Sequence, residues 1–524
     1  MSATPQPGVA PPIAQGEAAI AAEQEQPWLR LDKRMLLVHP VTEIVRLLPV
    51  LLLSVVIGSQ SGNYAWVPAT VAVLFVYGVS RWVMTSYRIG PVHVQLREGL
   101  FRRRLLSIPR NRIRSVDVKA GVLHRMLGLS IVRIGTGQRV GSSSDSATFE
   151  LNALSTSLVP DLRAALLARQ SVSATAEEPE VIREPVVKEI GHWKPSWVRY
   201  APFSVTGVVT VVAIVGLAFQ YGIAGNIARS PTIAEGIESA ERAGIALAVS
   251  VGIVLLVIAA STLACVRYLV NYGNMKLTDN GRTLHVSRGL LETRQTTLDR
   301  QRLRGTTLVE PLLLRLAGGA RLDAIMTGVS AQKRESSLLL PQAPREEAER
   351  VMATVIGDDR QSAVPLTLHG PAAQRRRYFR GLVPAEIALV AAVGVVVLGQ
   401  PVYWPAWAAI VVLAVGGIAL AWDRYRGLGH AVLPGWLITR SGSLARARHS
   451  LESDGIIGWT VRQTFFQRRA GVATVIAATP AGTGKYEVID LPADQAWSLV
   501  ESVTPGGGDV WAHRGPTSQF STRI

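Results

Sequence analysis

The chain has 524 residues, 48% of them hydrophobic and only 18% charged, with a mean hydropathy of +0.24. Soluble domains carry roughly 25% charged residues, so this balance excludes a single large soluble enzyme and a disordered chain and points to a membrane protein. The lone cysteine, Cys265, excludes an intrachain disulfide framework and a cysteine-based zinc site, and the net charge of +17 suits an anionic membrane surface or nucleic acid.

In chain order, residues 1–40 read as a disordered tail, rich in Pro, Ala, Gln and Gly up to residue 27 and without the charged and apolar regions of a signal peptide. Three apolar blocks follow, each broken once. The first hairpin, 41–84, has runs at Val41–Ile57 and Tyr64–Met84 around GSQSGN. The second, 199–266, has runs at Pro202–Tyr221 and Gly244–Val266, and the third, 381–422, at Leu382–Leu398 and Val402–Trp422. A helix needs about 20 apolar residues to cross the hydrocarbon layer, so six membrane helices in three hairpins are expected, the first weakened by Glu43, Arg46 and Pro49. Trp66, Trp82, Trp404, Trp407 and Trp422 bracket these runs, and Trp193, Trp197 and Tyr200 precede the third, as expected of interfacial rings. Cys265, at the end of the fourth run, reads as a small packing residue, with palmitoylation as the sharper alternative.

Between the hairpins lie polar segments at 85–169, 267–357 and 423–503, with linkers at 170–198 and 358–380 and a polar tail at 504–524. The short loops at 58–63 and 399–401 carry no charge and the loop at 222–243 sets Glu235, Glu238 and Glu241 against Arg229 and Arg242, whereas Arg375, Arg376, Arg377 and Arg380 directly precede the fifth run. The positive-inside rule therefore puts both termini and all three segments in the cytoplasm.

The three segments are internal repeats. Without gaps, 97–113 aligns with 287–303 and 440–456, bringing Gly99 onto Gly289 and Gly442, Arg125 onto Arg315 and Arg468, and Gly128 onto Gly318 and Gly471. The first glycine of each set follows an alternating stretch, which predicts strand, turn and strand. Each repeat ends in an amphipathic helix that begins at a proline: Pro160, Pro344 or Pro492.

The shared pattern reads Gly99-Leu100, Ile108-Pro109, Arg112-Ile113, Val116, Leu123, Arg125 and Gly128 in the first repeat. The second has Gly289-Leu290, Leu298-Asp299, Arg302-Leu303, Thr306, Leu313, Arg315 and Gly318, while the third departs most, with Glu452 in place of the proline and Gly455 in place of the arginine. This pattern resembles that of the bacterial pleckstrin-homology-like membrane proteins of the YdbS/YdbT type. The resemblance implies an α-helical polytopic protein of the bacterial plasma membrane with three cytoplasmic pleckstrin-homology-like β-barrel or sandwich domains, each closed by a C-terminal helix. It implies no activity, because the fold hosts many.

No enzymatic or cofactor motif is present. GTGK at 482–485 lacks the spacing of a phosphate loop and falls between two strand-like runs, and the nine histidines form no pair at metal-ligand spacing. Neither a cofactor nor a metal is expected, and no enzyme class is indicated. The basic face of the first repeat is the best candidate site, with 13 basic against 5 acidic residues over 86–168. Arg102, Arg103 and Arg104 lie on the first predicted hairpin, and Arg110, Arg112 and Arg114 alternate, so on a strand they share one face. Simple topology marking accounts for such a cluster first, and anionic lipid headgroups are the ligand it would take if it is a site. Nucleic acid is disfavoured by the lack of stacking aromatics around the cluster. The expected role is a membrane-anchored scaffold or binding platform for headgroups, a protein partner or further copies. The alternative is a transporter or lipid-handling protein, against which stand the uncharged centres of five spans.

Overall fold

The computed structural model describes residues 23, 25–35, 38, 76, 79–80, 83–90, 92–99, 104–110, 113, 115–135, 149–158, 187–203, 245–327 and 337–506. They fall into two units, Met1–Lys188 with Asn274–Gln301 and Glu189–Gly273 with Arg302–Ile524. In chain order the first repeat gives β1 (Leu29–Arg30), β2 (Ser86–Ile89), β3 (His93–Glu98), β4 (Arg104–Pro109), β5 (Ser115–Ala120), α1 (Val122–Met126), β6 (Leu129–Gly135) and β7 (Phe149–Ser155). Then come β8 (Lys188–His192), α2 (Ile245–Tyr272), β9 (Lys276–Asp279), β10 (Thr283–Arg288), β11 (Thr293–Asp299), β12 (Leu303–Pro311), α3 (Leu312–Leu316), β13 (Gly319–Met326), β14 (Leu338–Pro344) and α4 (Arg345–Ile356). The last part holds α5 (Arg360–Ala363), α6 (Gly370–Val397), α7 (Trp404–Arg426), β15 (Gly429–Leu433), β16 (Trp436–Ser441), β17 (Ala445–Glu452), β18 (Gly458–Arg462), α8 (Phe465–Arg469), β19 (Val472–Ala478), β20 (Lys485–Pro492) and α9 (Ala496–Val503).

Each repeat is thus three strands, a connection, a strand, a five-residue helix and two more strands. The aligned glycines mark its bends. Gly99, Gly289 and Gly442 have φ of 123°, 104° and 100°, and Gly128, Gly318 and Gly471, just past α1, α3 and α8, have φ of 68°, 76° and 66°. L-residues avoid that region, which explains why the alignment holds glycine there. Period-two alternation buries Leu284, Val286 and Arg288 of β10, as the sequence pattern requires.

In the first unit, β1-β2-β3-β4 form one sheet, and a second runs β7-β6-β5-β11-β10-β9, with all these neighbours antiparallel. Val94, Leu96, Val116, Val132 and Leu151 fill the core, with Leu31, Met35 and Val38 packed in from ahead of the repeat. In the second unit, one sheet runs β14-β13-β12-β17-β16-β15 and another β18-β19-β20. Leu437, Leu451, Val475, Val488 and Val500 make its core, joined by Ile325 of the second repeat. Two of the proline-initiated helices are present. Pro344 caps α4, and Pro492 leads through a 3-10 turn into α9, whereas Pro160 lies outside the described residues.

Among the described residues, two helices are long and apolar enough to cross a membrane, α6 and α7, which hold the fifth and sixth predicted runs. The fourth run lies in α2, and nearly all of the first three falls outside the described residues. The structure thus does not bear out a count of six spans, which rests on the sequence. Helices α6 and α7 cross at Gly381 and Gly417, where a Cβ on Gly381 would come within 2.6 Å of the Gly417 carbonyl oxygen. Such glycine-to-backbone approach is how helices pack in lipid. Ile387, Val390, Val397, Val411, Val412 and Val415 are exposed along these two helices.

One expectation needs correction. Trp197 and Tyr200 are not interfacial rings: they are buried, and Tyr200 packs against Gly319 at the start of β13. Tyr403, Trp404, Trp407 and Trp422, at or near the ends of α7, are exposed. Within the linker 358–380, α6 begins at Gly370, so Arg375–Arg380 stand on that helix. Pro371 sits in its first turn, where a missing N–H costs nothing.

Candidate functional site: the joints between repeats

The repeats are joined edge to edge through their strands. In the first unit β5 of the first repeat pairs with β11 of the second, from Ser115 opposite Leu298 to Ala120 opposite Thr293. In the second unit β12 of the second repeat pairs with β17 of the third, from Gly305 opposite Leu451 to Pro311 opposite Ala445. Ser115 and Gly305 are equivalent in the repeat alignment, and so are Leu298 and Leu451. The two joints therefore use the same strands in the same register.

The motif residues gather at these joints. Arg125, on α1, donates from Nη1 to the Leu290 carbonyl at 2.8 Å, so the motif arginine of one repeat holds the Gly-Leu turn of the next. Its equivalent Arg315, on α3, reaches Asp423 at the end of α7 at 2.8 Å, and Arg446 of β17 shares the same carboxylate oxygen at 2.9 Å. The Leu312 amide donates to the Leu444 carbonyl beside them. The third repeat's departures from the pattern also fit here. Glu452 ion-pairs with Arg304 at 2.8 Å, and Gly455 leaves room for the Arg304 side chain, which a Cβ would meet at 3.0 Å. Gly305 has φ of 144°, and any side chain there would strike the Ser450 carbonyl. In the first joint, Lys119 stands opposite Arg294, and the like charges are offset by Glu292 at 2.8 Å from Lys119 and Asp117 at 3.9 Å from Arg294.

The third hairpin enters the third repeat through a buried charge cluster. Asp490, fully buried with φ of 59°, meets Arg377 at 3.0 Å and Arg376 at 3.5 Å, both on α6. Gln467 of α8 donates to the same carboxylate at 2.9 Å. Nearby, His369 and His430 approach at 3.0 Å, and His369 Nδ1 lies 2.7 Å from the Ile489 carbonyl, so a proton on Nδ1 leaves Nε2 to accept from His430. Burial pushes the His430 imidazole down to about 4, helped by His369, and burial alone takes His449 down to about 4.

The tips beside the joints are apolar and bare. Val122 and Met126 on α1, Leu290 and Leu291 on the following turn, Leu313 and Leu316 on α3, Leu444, and Phe465 and Phe466 on α8 are all exposed, Met126 to 78% and Leu316 to 75%. These are equivalent places in the three repeats, next to motif arginines.

Of the arginines predicted as a lipid site, Arg104 opens β4, opposite Glu98. Arg110 is not on a strand: β4 ends at Pro109, the Arg110 amide donates to the Val92 carbonyl, and its Nη1 lies 3.3 Å from the Gly90 carbonyl. The common strand face expected for Arg110, Arg112 and Arg114 therefore does not include Arg110. Arg102, Arg103, Arg112 and Arg114 lie outside the described residues. In the repeat alignment Arg102 and Arg103 correspond to Glu292 and Thr293 of the second repeat. Cys265 Sγ is 3.8 Å from the Val198 carbonyl, as a packing residue would be. The GTGK sequence forms the turn between β19 and β20, with Gly482 and Gly484 at positive φ. Among the described residues no group of three His, Cys, Asp or Glu is placed to hold a metal.

The family description Bacterial PH domain matches three times, over residues 41–170, 210–358 and 384–504, each match taking in a hairpin and the repeat after it. The chain belongs to the bacterial PH domain family. Searches among curated proteins and among solved structures gave no match.

Proposed function

We propose that the protein is a polytopic scaffold of the bacterial plasma membrane. Three hairpins hold a strand-paired row of PH-like domains against the cytoplasmic leaflet, both termini lying on that side. The observation that carries this reading is the direct fastening of the membrane hairpin to the β repeats, α7 through Asp423 to Arg315 and Arg446 and α6 through Arg376 and Arg377 to Asp490. A hairpin tied to its domain by buried ion pairs fixes the domain's height and tilt at the membrane. Exposed apolar tips beside arginines are what a domain presents to the headgroup layer, apolar groups entering and basic groups meeting phosphate. In the first repeat Arg102, Arg103 and Arg104, with Arg110, Arg112 and Arg114, supply the basic part of that contact.

Two experiments test this reading. Membranes containing the full chain should retain it through alkaline carbonate extraction, and cysteines placed at residues 60 and 400 should react only from outside the cell; labelling from the cytoplasm would refute the topology. In proteoliposomes, a fluorophore next to Met126 should report shielding that depends on anionic lipid, is lost when Arg102, Arg103 and Arg104 are replaced by Ser, and weakens as salt rises. Equal shielding in neutral liposomes would refute headgroup recognition.

A further inference from the structure

The two joints leave one strand of each kind over. Strand β4 is the first repeat's equivalent of β11 and β17, which accept a preceding repeat, and β18 is the third repeat's equivalent of β5 and β12, which accept a following one. Among the described residues the sheet β1-β2-β3-β4 ends at β4 and the sheet β18-β19-β20 ends at β18, each with an unpaired outer edge. We propose that a second copy of this chain fills both edges, β18 of one copy pairing antiparallel with β4 of the next, so that the row of repeats continues from chain to chain.

The register follows from the two existing joints. Carried one repeat further, it sets Gly458 opposite Ile108, Trp459 opposite Ser107, Thr460 opposite Leu106, Val461 opposite Leu105 and Arg462 opposite Arg104. The alternation of faces agrees as well. In the first joint Val116 lies in the core of its own repeat and stands opposite Thr297, whose neighbours Thr296 and Leu298 alternate with it. In the proposed joint Trp459 and Val461 pack on the third repeat's core, and Leu106 and Ile108 on the first's, so Val461 meets the exposed Leu105 in the same alternation. A second copy is favoured over an unrelated partner because both edges end a series whose inner members already pair with each other. An exposed strand edge is a template for addition, and a head-to-tail contact of this kind builds rings or open rows.

One pair carries a distinguishing signature. Arg462 opposite Arg104 repeats the like-charge pair Lys119–Arg294; Glu98, opposite Arg104 on β3, offsets it in part, but in the repeat alignment Thr460 replaces Asp117 and Arg102 replaces Glu292, which leaves a net basic excess. Pairing should therefore strengthen as salt screens this repulsion, the opposite of what headgroup binding does. The inference does not rest on headgroup binding, and this opposite salt response keeps the two separable.

The test uses the full chain in its own membrane, with Cys265→Ala as background and two differently tagged copies co-expressed. One carries Leu105→Cys and the other Val461→Cys. Mild oxidation should yield a covalent species bearing both tags, with Leu105→Cys plus Thr460→Cys, one residue out of register, giving at least about tenfold less. Yield should rise with salt, and Arg462→Glu should raise it several-fold at low salt. Absence of the doubly tagged species in chains that remain folded by thermal melting, or equal yield out of register, would overturn the proposal. So would a cross-link formed only within single chains that carry both cysteines.

Discussion

The two joints share a backbone register and differ in nearly every side chain. The β5–β11 joint is held by two ion pairs, a part-exposed one between Lys119 and Glu292 and a largely buried, longer one between Arg294 and Asp117, and by one arginine on a carbonyl. The β12–β17 joint adds a carboxylate shared by two arginines at the end of the apolar helix α7, and a glycine so close to its neighbour that no side chain fits. Main-chain pairing is thus the constant feature, and side-chain chemistry sets how firmly each joint is fastened. In the first joint neighbouring repeats hold each other. In the second they also hold the apolar hairpin of α6 and α7.

The comparison can be broken or sharpened by substitution, with stability read as thermal unfolding in detergent. The largest effect is expected at the hairpin. Asp490→Ala removes the carboxylate from two buried arginines and should cost about 3–5 kcal/mol. Close to it in size, Gly305→Val should cost several kcal/mol, because it adds a collision with the Ser450 carbonyl to a backbone at φ of 144°, whereas Ser115→Ala at the equivalent place should be nearly silent. Next, Asp423→Ala should cost about 2–3 kcal/mol by leaving Arg315 and Arg446 facing each other, against about 1 kcal/mol or less for Lys119→Ala in the first joint. Equal costs for that last pair would mean the joints are fastened alike.

A smaller, graded effect is expected from pH. His430 and His449 titrate at about 4 in the folded chain, below the ordinary 6.5. Their folded state refuses protons that the unfolded chain accepts. The stability they confer is therefore complete above pH about 6.5 and falls as pH drops toward 4. Replacing His430 with Gln should flatten part of that slope, which melting temperatures between pH 7 and 4.5 would show.

Much of this was legible in the sequence. The three repeats follow from one gapless alignment, and Gly99, Gly128 and their equivalents mark bends because only positive φ explains glycine recurring there. The pairing between repeats was not legible, because it is made by main-chain groups that every residue carries. Asp423 and Arg315 are 108 residues apart, so no local pattern announces their contact. Trp197 and Tyr200 misled because an aromatic ahead of an apolar run suits both a headgroup layer and a core, and position alone does not separate them. The arginine cluster was conspicuous by charge, yet Pro109 ends the strand that its alternating members were expected to share.

The most direct test of the central claim is a disulfide scan across both joints of the full chain in the Cys265→Ala background. Cysteine pairs placed at Val118 with Gln295, and at Val309 with Ala447, stand directly opposite each other in the observed register. Both pairs should close on mild oxidation within single chains, while Val118 with Arg294 and Val309 with Arg446, each shifted by one residue, should not. Failure of the in-register pairs to close, or equal closure of the shifted ones, would contradict a row of repeats joined strand to strand in one register.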